Sequence, residues 1–377
     1  MLRRFSPANT EFAGDVAPFC VIVLGNRGHA VKADKSKAVK FSTILKWVGY
    51  ATAILSLIFG VRELVKIVSD RFESHRKVVA LLITEDVELK GKDYASAWET
   101  LEQASKSEPD SAKVRLAQEN LAMAWLENIR VREKQEWSTI VDKLEPVLTR
   151  GIASTKDSQR TADLLAHVGW CYFLRTRDGI FGMDPADPYA RAVQKDPNNP
   201  YAEAMWGHWT LWNGGKLGEA SKHFAAGLVS GRNREFVRDL QCAAVSECHE
   251  DECEDEMLRI ANAIRQEHGT IDEHTADGIF FIYYSRAMRE NPVSNPLLHV
   301  LAPADHIATF HWLFDSMDFD EWKSLERTCY LAMLQEVAGQ REEALANYRM
   351  IHAKSAKRPG SLADAADAGI KRLSSAH

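Results

Sequence analysis

The sequence predicts an all-α fold: a solenoid of antiparallel helix pairs, preceded by one transmembrane helix. Three observations lead there. Apolar residues recur at helical spacing through most of the chain after residue 77, and turns rich in Gly, Asn, Asp and Pro interrupt them. Small residues stand where two helices must approach: Gly207 and Ala220, with Phe224 and Leu228 following Ala220 at i+4 and i+8 on one face. Residues 47 to 61 carry no charge at all.

Composition is that of a globular chain able to bury a core, with 45% hydrophobic and 27% charged residues over 377 positions. The net charge of −6 makes nucleic acid a poor default partner. Six cysteines (Cys20, Cys171, Cys242, Cys248, Cys253, Cys329) are too few and too irregularly spaced for a disulfide framework, which leans towards a reducing compartment.

In chain order, residues 1–40 lack a sustained period and carry Lys32, Lys35, Lys37 and Lys40, so they read as a flexible basic tail. Residues 41–61 approach the roughly 20 residues a bilayer requires, with Trp47 and Tyr50 near one end. They are expected to form a single membrane span. Six Lys/Arg from Arg27 to Lys46 precede its charge-free centre and five follow it from Arg62 to Lys77, so the side on which the rest of the chain lies is undecided. Residues 62–76 continue as a charged juxtamembrane helix.

Helical pairs then fill 77–232. Pro109 closes a pair whose second helix carries Ala97, Leu101 and Ala104. A longer helix over 111–132 and a partner from 137 to 148 follow, the latter with Pro146 inside it. Val168-Gly169 and Tyr172 open a third pair, residues 178–188 are an enlarged turn, and Pro197 with Asn198-Asn199 ends that pair. Trp206-Gly207, Ala220 and Phe224 mark the fourth. Residues 233–321 form a divergent helical region. Ala332, Ala344, Tyr348 and Ile351 restore the pattern in 322–377, which ends in a polar capping helix.

These residues resemble the tetratricopeptide repeat (TPR), a helix–turn–helix unit of about 34 residues with the pattern W-x2-L-G-x2-Y, then A-x3-F, then a closing Pro. The match is clearest over 189–228, where only an extra residue in the Gly214-Gly215 turn departs from it. The resemblance implies a concave groove, lined by the first helix of each unit, that binds an extended peptide or a helix of another protein. By that frame Trp170, Phe173, His208, Leu211 and Trp212 face the groove, and aromatic residues are the usual anchors of such surfaces.

Catalytic signatures are missing: there is no P-loop, no G-x-G-x-x-G, no G-x-S-x-G and no H-E-x-x-H. Cys242, Cys248, His249 and Cys253 have the chemistry of zinc ligands but not the spacing of a finger. Asp315, Asp318, Asp320 and Glu321 lack the EF-hand order and read as a turn and helix start. The expected function is therefore a membrane-anchored scaffold that binds another protein, without catalysis, cofactor, metal or small-molecule substrate. The alternative is an enzyme or metal-dependent sensor with a site in 242–311.

Overall fold

The computed structural model describes residues 35–129, 136–248, 250–355 and 360–375, with side chains from residue 46 onward. Among the described residues there are fifteen α-helices, one short 3-10 turn and no strand. The tail expected over 1–40 lies, up to residue 34, outside them. The chain divides into two units, one ending at Phe72 and the other beginning at Glu73.

The described part of the first unit is helical throughout, forming most of α1 (Lys35–Lys90). Every residue from Lys46 to Glu73 is exposed. The membrane span expected over 41–61 is not found: among the described residues, no helix is long and apolar enough to cross a membrane. The uncharged run at 47–61 spans about 22 Å at 1.5 Å per residue, against about 30 Å of hydrocarbon, and the side chains of 41–45, the start of the expected span, lie outside the described ones. Arg62, Glu63 and Lys66 then interrupt the run.

The second unit is a series of helices packed against their chain neighbours. It runs α2 (Tyr94–Ser107), α3 (Ala112–Asn128), α4 (Ser138–Ser154), α5 (Ser158–Arg177), α6 (Ala186–Lys195), α7 (Pro200–Trp212) and α8 (Leu217–Val229). Then come α9 (Arg234–Ser246), α10 (Asp251–Gln266), α11 (Glu273–Arg286), α12 (Pro303–Phe314), α13 (Glu321–Val337), α14 (Arg341–Ser355) and α15 (Ser361–Ser375). Side-chain caps set several starts. Asp93, Asp157, Asn199, Asp272 and Asp320 each accept a hydrogen bond from an amide in the first turn of the helix that follows. Pro146 does not end α4, which continues to Ser154; buried Leu144 and Leu148 on either side hold that turn in place.

Close approach within pairs follows one rule. A Cβ on Gly169 of α5 would lie 2.4 Å from the Tyr189 ring of α6, and one on Gly207 of α7 would lie 3.0 Å from Phe224 of α8. The same relation thus recurs in consecutive pairs: a glycine under a fully buried ring of the next helix. This is the packing the Gly207, Ala220 and Phe224 positions led one to expect.

Two cores result. The first gathers α2 to α8 around Leu101, Leu121, Leu144, Phe173, Tyr189 and Phe224. The second gathers α10 to α15 around Ile260, Tyr283, Phe310, Phe314, Tyr330 and Tyr348. Helix α9 serves both, with Val237, Leu240 and Ala244 in the first and Cys242 and Val245 in the second. Helix α12 is an addition to the elements read from sequence. Its segment carries His306, Thr309, Phe310, Leu313 and Phe314 on its buried side and half-buried Ile307 and Trp312 beyond it, so no polar stripe announces it.

Candidate functional site

Helices α5 and α7 are held at a fixed spacing by Asn199. Its side-chain oxygen caps α7 by accepting from the Ala202 amide at 3.0 Å, and its Nδ2 donates to Asp163 of α5 at 2.6 Å. One or two turns further on, Trp170 and Phe173 of α5 meet His208, Leu211 and Trp212 of α7. The His208 ring lies edge-on to both Trp170 and Phe173, with centroids 5.2 and 5.1 Å away. Trp212 meets Phe173 edge-on at 5.4 Å and stacks on Trp209 at the same distance. Such T-shaped and offset geometries are the favoured ones for aromatic rings.

All five expected site residues therefore lie together, but at different depths. Trp170, Phe173 and His208 are buried, Leu211 is half-buried, and Trp212 is 37% exposed. The first three form a floor and the last two form its accessible edge.

The floor has an electrostatic peculiarity. Neither ring nitrogen of His208 has a hydrogen-bond partner among the described residues, and neither does the Trp170 indole N–H. Burial pushes the His208 pKa down to about 3, and the nearby Arg177 charge adds to the effect. The neutral imidazole is therefore the favoured form. Arg177, at the end of α5, sits 5.8 Å from the Phe173 ring centre and pairs with Glu247 beyond α9 at 3.1 Å. Sequence reasoning missed this cation, because its partner lies 70 positions away.

The enlarged turn at 178–188 is anchored at its start, where Asp178 accepts from the Ser138 amide at 2.6 Å. Beyond that it displays Ile180, Phe181 and Met183 to solvent.

The zinc reading of Cys242, Cys248, His249 and Cys253 loses two donors, because Cys248 and Cys253 form a disulfide. His249 lies outside the described residues, and among these no group of His, Cys, Asp or Glu is placed to hold a metal. The expectation that the cysteines remain reduced is corrected at the same point. Two residues only five positions apart can close a turn, which no framework-type spacing announces. Cys171 and Cys329 are buried free thiols, and Cys242 is also buried.

Within 242–311, His306 is buried, with its Nε2 2.7 Å from the Tyr283 hydroxyl. Asp320 caps α13, as the helix-start reading of that acidic run required, and Asp315 pairs with His311 and Arg327.

No protein family matches the sequence, and no curated protein does. Among solved structures, the chain is similar to a tetratricopeptide repeat protein from Parabacteroides merdae. The identity is 14% over 79% of this chain and 99% of that one, with a TM-score of 0.37. A likeness that distant says nothing about activity or partners.

Proposed function

We propose that this chain is a helical-repeat scaffold that binds another protein at the Leu211–Trp212 edge and works by recognition rather than catalysis. The observation that carries the proposal is the layered aromatic cluster between α5 and α7. Trp212 is presented to solvent on a base of Phe173, Trp170 and His208 that cannot yield, because all three are buried. A rigid exposed tryptophan beside a half-buried leucine is the composition of a binding hot spot, where ordering a side chain costs little. Arg177 and Glu247 add a charged rim. The ligand is a segment offering an apolar side chain to Trp212 and polar groups to that rim, in the helix-in-groove or extended-peptide manner.

The test uses Trp212→Ala and Leu211→Ser in the full chain. Both positions have solvent access, and thermal unfolding checks that each variant still folds. A photo-reactive side chain at position 211 should trap one predominant partner in cells. Trp212→Ala should weaken binding of that partner at least about tenfold. Wild-type affinity in both variants would remove the assignment.

A further inference from the structure

We propose that the Cys248–Cys253 disulfide is a thiol-exchange site whose acidic surroundings admit cationic thiols and exclude anionic ones. The bond closes the short turn between α9 and α10, and its two sulfurs are unequally placed. Cys248 is half-buried beside the exposed end of α9, whereas Cys253 is 1% exposed in the first turn of α10. Cys248 is therefore the more accessible of the two residues and the expected point of attack, because access decides which sulfur is attacked.

Electrons balance because the incoming thiols are themselves the reductant: two thiols become one disulfide as the protein disulfide becomes two thiols. The incoming thiolate bonds to Cys248 Sγ, the Cys248–Cys253 bond breaks, and its electron pair leaves on Cys253 Sγ, which then takes a proton from solvent. The departing sulfur sits at the amino end of α10, where the helix dipole favours negative charge. A second thiol removes the first as a small-molecule disulfide and leaves both cysteines reduced.

Selectivity follows from the charges around the bond. Glu247, Glu250, Asp251, Glu252, Glu254 and Asp255 crowd the turn and the first turn of α10. Two guanidinium groups face them: Arg177 pairs with Glu247, while Arg286 of α11 pairs with Asp251, Glu254 and Asp255. Glu250 and Glu252 are both exposed, and the surplus of negative charge repels an anionic reagent while drawing in a cationic one. The other described thiols do not compete, because Cys171, Cys242 and Cys329 are all buried.

The experiment uses the full chain carrying Cys20→Ser and three thiols of one skeleton: cysteamine, 2-mercaptoethanol and 2-mercaptoethanesulfonate. Each is supplied at equal thiolate concentration under native conditions, and each rate is divided by that thiol's rate with an uncharged small-molecule disulfide, which removes differences in intrinsic nucleophilicity. Samples are quenched with N-ethylmaleimide, and the fraction opened is read by intact mass. At low ionic strength cysteamine should open the bond at least about tenfold faster than the sulfonate, with the neutral thiol between them. At high salt the three rates should converge. Glu250→Gln with Glu252→Gln should narrow the gap at low salt without altering the fold, since both side chains are exposed. Equal rates for the three thiols at low salt would overturn the proposal. So would a bond that none of them opens until the chain is denatured, which would make it a purely structural cross-link.

Discussion

Replacing His208 with phenylalanine should stabilise this protein, and the gain should grow in acid. Both imidazole nitrogens are buried without partners, so at neutral pH the wild-type chain already carries the cost of a stranded polar group. Removing such a group in favour of a ring of similar shape is worth about 1–3 kcal/mol. The pH-dependent part follows from proton linkage. Below pH 6.5 the unfolded chain protonates this side chain, while the folded chain resists until about pH 3, so stability falls as pH drops through that window. Between pH 8 and pH 5 the loss from His208 comes to about 2 kcal/mol, at about 1.4 kcal/mol per pH unit once below 6.5. His306, held at about 4 mainly by burial, removes about 2 kcal/mol more over the same interval. These two sites should therefore take about 4 kcal/mol from the wild type and about 2 kcal/mol from His208→Phe. Urea unfolding followed by far-UV circular dichroism at pH 8, 6.5 and 5 measures the difference directly, because every other titrating group is common to the two proteins. Parallel pH dependences for wild type and variant would refute the reasoning, since the ring would then have to be solvated or protonated in the fold.

Gly169→Ala should cost about 1–3 kcal/mol by thermal melting, because the new methyl would collide with the Tyr189 ring at 2.4 Å. Gly278→Ala, in α11 with nothing within 4 Å of the added carbon, should instead raise the melting point slightly, by about 0.5–1 kcal/mol of helix propensity. If the two changes prove equally harmful, the close-approach account of the pairs is wrong. Asn199→Ala removes both the α7 cap and the bond to Asp163, and should cost about 1–3 kcal/mol in the same assay. Asn199→Asp should not rescue it fully, because a carboxylate can cap α7 but cannot donate to Asp163.

Much of the helix pairing was legible from residues whose job is local. Gly207, Ala220 and Phe224 announce a tight crossing because only a small residue leaves room for a ring, and the structure places that ring on the glycine. Pro197 with Asn198-Asn199 announces the end of one pair, and the structure places Asn199 at the cap of the helix that follows. What depends on distant neighbours was not legible. Trp170 and Phe173 stand at positions that the repeat frame turns towards a groove, yet α7 lays His208 and Trp212 across them and makes them core. The α12 segment has half-buried residues beyond its buried side, so it lacks the stripe that marks a surface helix. The disulfide joins cysteines through a turn whose closure depends on how α9 meets α10. Over residues 41–61 apolar character suggested a bilayer span, but among the described residues no helix is long and apolar enough to cross one, and charges resume at Arg62.

Helix α9 gives one flank to each of the two cores, and that has a consequence for how the protein comes apart. A cut placed just before it strands the hydrophobic floor of the N-terminal stack, and a cut just after it strips the wall from the C-terminal one. Neither half is whole without this strip of thirteen residues, Arg234–Ser246. Melting that begins on either side must therefore spread across α9 into the other.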